Sequence, residues 1–363
     1  MKFSLLTLLF ALALAPQAAA QQRQQPAKDE PAAGKLTLER RTDAEARAVV
    51  SLCVNEGDVI VRGWDRNEVR ARAEGEGTLR LLTPNVRPAP RVAVLVSEEK
   101  DAELDAGDCG SNETIELTVP RGATVEVELR TGHVEVADVA EARVKVLSGD
   151  VDVRRISRAV EVSCLSGDVS VSDSTGPVRV ESVSGDVEAR NVRTASAGDN
   201  FEAKSTSGDV TIESVGHGHV SGSAVSGQVL YTGALARGGS YDFRTISGDV
   251  TLELPADASF NLHAKVVVSG EIVTDFPVKT MTTTSTSSSS SSSSTGGTDA
   301  TPPHPPLPPG PGAAMPPLPP VPVKKPGKTH RDQESARLDG TVGNGDAVVN
   351  LSSFSGSLHL RKR

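Results

Sequence analysis

The sequence predicts an all-β fold, a single-chain parallel β-solenoid (β-helix) of about ten rungs. Three observations support this prediction. A four-residue motif recurs at nearly constant spacing, apolar residues occupy alternate positions on both sides of each copy, and aromatic residues are scarce, with Phe 7, Tyr 2 and Trp 1 among 363 residues. Because a solenoid interior is narrow, Val, Leu, Ile and Ala can fill it without many rings.

The first 34 residues are predicted to lie outside the solenoid. A basic start at Met1-Lys2, an apolar stretch over residues 3–15 and the small residues Ala18-Ala19-Ala20 are typical of a removable signal peptide, assigned to residues 1–20. Residues 21–34 form a polar, disordered leader. The apolar stretch is shorter than the roughly 20 residues that a membrane span needs, so no transmembrane segment is expected. We therefore expect an exported protein, either periplasmic or at the cell surface and extracellular.

Residues 35–125 are interpreted as an N-terminal β region that caps or begins the solenoid. They contain an early rung with apolar residues at alternate positions, and Trp64, which is expected to pack near this end or to serve as a binding aromatic. Cys53 and Cys109 both lie in this region, where they either form a disulfide or stay unpaired. The third cysteine, Cys164, falls in a column of small inward residues and is expected to be a buried, inert thiol.

The repeat occupies residues 126–278. Its motif Ser-Gly-Asp-Val begins at Ser148, Ser166, Ser184, Ser207 and Ser247, with Ser-Gly-Gln-Val at Ser226. Alternating apolar residues on both sides of the motif predict strand, turn and strand, with the glycine supplying a positive φ at the turn. One outward column reads Arg143, Glu161, Arg179, Glu202, so opposite charges meet if the repeats stack in register.

The aspartates of the motif are the main candidate site. They would stack along one edge of the solenoid, where their carboxylates either accept hydrogen bonds from turn amides or bind calcium, which prefers oxygen ligands. They are Asp150, Asp168, Asp186, Asp209 and Asp249. Calcium is the one cofactor to consider. His217 and His219 could ligate a transition metal but are expected to lie in a solvent-exposed loop.

Residues 279–334 are predicted to be a disordered insertion. Ser287 to Ser294 is an unbroken serine run, and residues 301–328 are rich in proline, which predicts a flexible tether followed by a polyproline II stretch. Alternating apolar residues resume from Val349 to Leu360. Residues 335–363 are therefore predicted to form the final rung and to close the end of the solenoid.

These motifs resemble a known family. The segment Gly57–Asp65 (GDVIVRGWD), the Ser-Gly-Asp-Val rungs and the closing segment Gly340–Asp346 (GTVGNGD) are similar to the bacterial "putative adhesin" β-strand-repeat family of unknown function. The resemblance covers residues 45–278 and 336–360. It implies an exported β-solenoid, an adhesive role and no catalytic residues. The Ser/Pro-rich insertion departs from the family pattern.

Several function classes are disfavoured. A formal net charge of −9 disfavours nucleic acid as a partner, and no nucleophile, phosphate-binding or metalloprotease motif occurs, so we expect no enzyme. The sequence favours a non-enzymatic, adhesin-like or structural module of the envelope, a monomer that binds an unidentified protein or extended polymer. An alternative is a periplasmic signalling or scaffold component that recruits a partner through its Pro-rich arm. A carbohydrate-active enzyme is a distant third, because sugar sites usually need aromatic platforms.

Overall fold

The structure is a computed structural model that describes residues 37–75, 77–100, 105, 108–280 and 335–363. The predicted signal peptide, the leader and nearly all of the Ser/Pro-rich insertion lie outside the described residues, as does the Pro-rich arm of the alternative function. The described residues contain no helix that is long and apolar enough to cross a membrane.

All regular elements of the described residues are strands. They are β1 (Thr37–Trp64), β2 (Glu68–Glu74), β3 (Thr78–Leu82), β4 (Ala89–Ser97), β5 (Gly110–Pro120), β6 (Thr124–Thr131), β7 (Val134–Ala137), β8 (Glu141–Ser148), β9 (Val151–Arg154), β10 (Ala159–Ser166), β11 (Val169–Ser172), β12 (Val178–Ser184), β13 (Val187–Arg190), β14 (Asn200–Ser207), β15 (Val210–Glu213), β16 (His219–Ser226), β17 (Val229–Thr232), β18 (Ser240–Ser247), β19 (Val250–Leu254), β20 (Phe260–Ser269), β21 (Ile272–Thr274), β22 (Lys279–Thr280), β23 (Ala336–Val342), β24 (Val348–Ser355) and β25 (Leu358–Lys362).

Each copy of the motif joins a long strand to a short strand, as the repeat predicts. The long strands β6, β8, β10, β12, β14, β16, β18, β24 and β20 pair in parallel in that order, and the short strands that follow them pair in a second parallel ladder. The alternation of apolar and polar residues sets which side chains face the interior. Val162 and Val180, for example, are fully buried, whereas Glu161 is exposed. The predicted all-β parallel solenoid is confirmed.

The N-terminal strand β1 belongs to three parts of the sheet. Its first residues pair antiparallel with β2, while its later residues pair in parallel with β6 and β7 on one side and with β4 and β5 on the other. The early rung read from the sequence lies inside β1, and its five apolar residues are buried: Val50, Leu52, Val54, Val59 and Val61. Antiparallel strands β2 and β3 lie beyond this rung.

The order of the last rungs differs from the prediction. The sequence predicts that residues 335–363 close the end of the solenoid, but β24 pairs with β18 on one side and with β20 on the other. Likewise β25 lies between β19 and β21. The C-terminal rung is therefore inserted one place before the end. The side beyond β20 is taken by β23, which runs antiparallel to it.

A second corner follows the short strands β7, β9, β11, β13 and β15 and was not recognised in the sequence. Its residues have positive φ although none is glycine: Asp138, Arg155, Asp173, Asn191 and Ser214, at 50–62°. Neighbouring members contact each other. The Arg155 guanidinium donates hydrogen bonds of 2.9 and 2.7 Å to the Asp138 carboxylate, and this contact holds the pKa of Asp138 below its usual range.

Candidate functional site

The aspartates of the motif form a ladder of hydrogen bonds along the first corner. Oδ1 of Asp150 accepts a hydrogen bond of 3.0 Å from the backbone N–H of Asp168, and Oδ1 of Asp168 accepts one of 2.8 Å from the N–H of Asp186. Equivalent bonds run from Asp209 N–H to Asp186, from Gln228 N–H to Asp209, from Ser357 N–H to Asp249 and from His133 N–H to Asp58. Each carboxylate thus satisfies the turn amide of the next rung.

This geometry agrees with the turn interpretation of all five predicted aspartates. One oxygen of each carboxylate is already engaged by a backbone amide, and the described residues contain no group of three or more His, Cys, Asp or Glu side chains arranged to hold a metal ion. Calcium binding by this column stays a prediction.

The structure decides between the two alternatives for Cys53 and Cys109 and places Cys164 in the buried column expected for it. Cys53 and Cys109 lie with their Cα atoms 4.5 Å apart and form a disulfide, which ties β1 to the segment that precedes β5. Cys164 is a free, buried thiol with its Sγ 3.5 Å from the Gly149 carbonyl oxygen. Burial raises the pKa of the Cys164 thiol. A protonated, enclosed thiol has little nucleophilic character.

The expectation that both histidines lie in an exposed loop is wrong for His217. Its side chain is fully buried, and Nε2 lies 2.8 Å from the Gly176 carbonyl oxygen, so Nε2 carries the proton that is donated. Nδ1 has no hydrogen-bond partner, and burial lowers the pKa of the ring. The ring packs against Phe201, with centroids 5.9 Å apart. His219 is exposed.

Trp64 is a half-buried packing residue at the end of β1. Its indole Nε1 donates a hydrogen bond of 2.8 Å to the Glu68 carbonyl oxygen. The guanidinium groups of Arg66 and Arg70 lie 5.0 and 4.9 Å from the ring centroid. These cation–π contacts occupy the aromatic faces that a ligand would need.

An exposed apolar column on the long strands was missed in the sequence. It lies one residue before the serine of each motif, on the outward face, and its members are 42–52% exposed. We call it the apolar stripe: Leu147, Leu165, Val183, Val225, Ile246 and Phe354, with Thr206 between Val183 and Val225. The sequence carries a signal for it, because these residues hold a constant position one residue before each motif serine.

Two shallow grooves follow the apolar stripe. One, of about 610 Å³, is lined by Leu147, Leu165 and Val183 and reaches the Cys53–Cys109 disulfide. The other, of about 440 Å³, is lined by Val225, Ile246 and Phe354. On the same outward face, two residues before each stripe position, runs a column of polar and charged side chains that includes Lys145, which bonds Glu128 at 2.8 Å. The apolar stripe therefore runs beside a parallel column of polar and charged side chains.

The repeat and its corner place the chain in a known family. The family Toastrack DUF4097 matches residues 95–301, more than half of the chain. The chain belongs to this family. The match confirms the resemblance drawn from the rungs and adds no catalytic or binding residue, since Toastrack DUF4097 is a family of unknown function.

Solved structures similar to this Toastrack chain share little sequence with it. A putative cell adhesion protein from Clostridium sporogenes ATCC 15579 is 8% identical, with 90% of this chain and 100% of that chain covered and a TM-score of 0.20. A putative adhesin from Bacteroides fragilis NCTC 9343 is 14% identical, covering 61% and 97%, with a TM-score of 0.34. A putative adhesin from Parabacteroides merdae ATCC 43184 is 8% identical, covering 61% and 90%, with a TM-score of 0.36. No curated protein matches the chain.

Proposed function

We propose that this protein is an exported, non-enzymatic, adhesin-like module of the bacterial envelope that binds an extended partner along the outward face of its long strands. The observation that carries the proposal is the apolar stripe, which repeats one exposed side chain on each of six rungs. Exposed apolar patches of about 300 Å² or more on a monomeric protein are often functional surfaces.

The shape of the stripe indicates an extended partner. Rungs stack about 4.8 Å apart, so the six intervals from Leu147 to Phe354 make a track about 29 Å long and one side chain wide. A narrow track contacts a chain or polymer along its length more completely than it contacts a rounded surface. The charged column beside it can restrict the orientation of the partner.

The chemistry of the remaining groups supports a binding role. The corner carboxylates accept amide hydrogen bonds, and the thiol of Cys164 and the ring of His217 are enclosed in the core. Because these groups are hydrogen-bonded or buried, the outward face of the long strands is the surface that we assign to binding.

The proposal is tested by comparing stripe variants with exposure-matched variants. Purified protein carrying Leu165→Ser, Val183→Ser and Ile246→Ser should lose at least tenfold in binding to intact cells of the producing bacterium, measured by flow cytometry. A control carrying Val86→Ser and Val273→Ser replaces residues that are 58% and 42% exposed but lie outside the stripe, and it should bind like the unchanged protein. An equal loss of cell binding in both variants would contradict the assignment of the stripe as the binding surface.

An antibody raised against the purified protein tests export. Staining of the native protein on intact cells indicates the cell surface, whereas staining that requires disruption of the outer envelope indicates the periplasm. A signal confined to the cytoplasmic fraction would contradict the proposal.

A further inference from the structure

The apolar stripe is too narrow to hold a second copy of the solenoid by itself. A track about 29 Å long and about 10 Å wide offers roughly 300 Å² per partner, whereas a stable protein–protein interface buries about 800 Å² on each side. The occupant that fits is a single extended chain, which can place much of its own apolar surface on such a track.

The spacing of the stripe selects a polyproline II helix among extended chains. That helix rises about 3.1 Å per residue with three residues per turn, so one face repeats every 9.3 Å or so. Two rungs span about 9.6 Å, and the mismatch stays near 1 Å over the three turns that cover the stripe. In a β-strand, residues on one face repeat about every 6.7 Å, which matches neither one rung nor two.

The chain itself contains a proline-rich, uncharged segment of the kind that forms a polyproline II helix. Residues 302–323 (PPHPPLPPGPGAAMPPLPPVPV) have 22 residues, of which 12 are proline, and contain no Lys, Arg, Asp or Glu. Leu307, Leu318 and Val321 add apolar side chains. As a polyproline II helix, the segment would be about 68 Å long, more than the stripe requires.

The described residues that flank residues 281–334 lie near one end of the stripe. Residue Thr280 ends β22, and β22 pairs with β23, which begins at Ala336; β23 in turn pairs with β20. Val267 of β20 and Phe354 of β24 both line the second groove. The 21 residues from 281 to 301 can extend by up to about 70 Å, so residue 302 can reach either end of the stripe.

We propose that the apolar stripe binds the chain's own proline-rich segment, residues 302–323, as a polyproline II helix that runs along the solenoid axis. This inference rests on the proposed function, because it assigns a first ligand to the same surface. A partner at the stripe would then compete with the segment.

Photo-crosslinking of the purified full-length chain tests the proposal without any partner. The photoreactive residue p-benzoylphenylalanine replaces Ile246, which is 52% exposed, and crosslinked peptides are identified by mass spectrometry. We expect crosslinks within one chain to residues 302–323. The same residue at Thr251, on the short strand of the same rung, is the matched control and should give at least fivefold less of this product.

Two further variants make the outcome specific. Leu307→Asp with Leu318→Asp should reduce the Ile246-site product at least fivefold, whereas Ser288→Asp with Ser291→Asp in the serine run should leave it unchanged. Melting curves identify any labelled chain that fails to fold, and for this case the photoreactive residue is moved to Val225.

Three results would overturn the inference. Crosslinks between the stripes of two chains would assign the surface to a second copy. Crosslinks to residues 302–323 of another chain would replace the intramolecular ligand by an intermolecular one. Absence of any product with the segment, at both Ile246 and Val225, would reject the docking. Because no cells are present, none of these results bears on the cell-binding comparison, so the two proposals fail separately.

Discussion

At each first corner, a glycine lies against the carbonyl oxygen of the glycine one rung earlier. Gly185 has a φ of 140°, and a Cβ built on it would lie 2.1 Å from the Gly167 carbonyl oxygen. The small column two residues before the motif serine contacts the same oxygens: the Ser205 hydroxyl donates a hydrogen bond of 3.0 Å to Gly185. The close stacking of the rungs therefore requires both a glycine at the corner and a small inward side chain beside it.

Gly185→Ala should destabilise the protein by about 2–4 kcal/mol, because an unfavourable backbone conformation costs about 1–3 kcal/mol and the backbone clash adds to it. Gly198→Ala is the matched control, since a Cβ there meets no atom within 4 Å. Urea unfolding of both variants measures the difference. Similar stability of the two would contradict the steric account of the corner.

His217 makes stability depend on pH. Its pKa in the folded protein lies below the unfolded value, chiefly because the ring is buried. The unfolded chain therefore takes up the proton first as pH falls, so the contribution of neutral His217 is complete above the unfolded pKa, about 6.5, and is lost as pH falls through the folded pKa.

We expect His217→Gln to reduce the fall in Tm between pH 7 and pH 4.5 relative to the unchanged chain, because Gln can still donate to the Gly176 carbonyl but does not titrate. His219→Gln, at an exposed position, should leave the pH profile unchanged. Differential scanning calorimetry across this range provides the measurement. Parallel profiles for all three proteins would exclude His217 as the cause.

At the scale of the strand, ion pairs between rungs accompany the predicted register. Arg143 lies 2.9 Å from Glu126 and 3.9 Å from Glu161, and Arg179 lies 2.7 Å from Glu202, all on adjacent rungs. Each exposed pair contributes only about 0.2–1 kcal/mol. A slip by one residue would turn the apolar columns outward, so core and charges favour the same pairing.

The inserted rung links two parts of the solenoid that do not pair with each other. The partners of β20 are β23 and β24, and the partner of β21 is β25. β18 and β19 pair with the other side of the inserted rung. The rung of residues 260–274 is therefore attached to the solenoid through the C-terminal strands.

Leu351→Asp should release the inserted rung and the rung of residues 260–274 together. Leu351 is buried between Phe243 and Ala264, and an unpaired charge there is costly. Hydrogen exchange should show loss of protection in β20 to β25, while β8 to β15 keep theirs, since repeat proteins can unfold from one end.

Ser352→Asp is the control for this variant. Ser352 faces outward between Arg244 and Lys265, so a new carboxylate there meets two cations and protection should be retained. Uniform loss of protection along the whole solenoid in Leu351→Asp would contradict a modular end.

At the scale of the whole solenoid, the sequence predicted the strands, the first corner and the register, and missed the place of the C-terminal rung. The motif glycine, the alternating valines and the alternating charges recur on rung after rung, so their alignment predicted the strands, the first corner and the register. The insertion of β24 between β18 and β20 depends on a single long-range pairing. Nothing in the local sequence of residues 348–362 distinguishes the last rung from the one before it.

For the candidate site, the sequence predicted the role of the aspartates and missed the second corner and the apolar stripe. The turn role of the aspartates followed from their place beside the motif glycine, because carboxylates commonly accept hydrogen bonds from turn amides. The second corner was missed because its residue type varies from rung to rung: Asp138, Asp173 and Asn191 are types that tolerate a positive φ, but Arg155 and Ser214 are not marked in this way. The apolar stripe had a signal, since its members share the outward alternation of Arg143 and Glu161, but Val and Leu are also the residue types that fill the core.

The position of the C-terminal rung also affects biogenesis. Residues 260–274 are synthesised before residues 348–362, yet they must wait for them, because their strands pair with β24 and β25. Until then, β18 and β19 present an unpaired parallel edge, which is prone to association with other chains. A nascent or prematurely terminated chain thus carries an open edge at β18 and β19 that the full-length chain pairs.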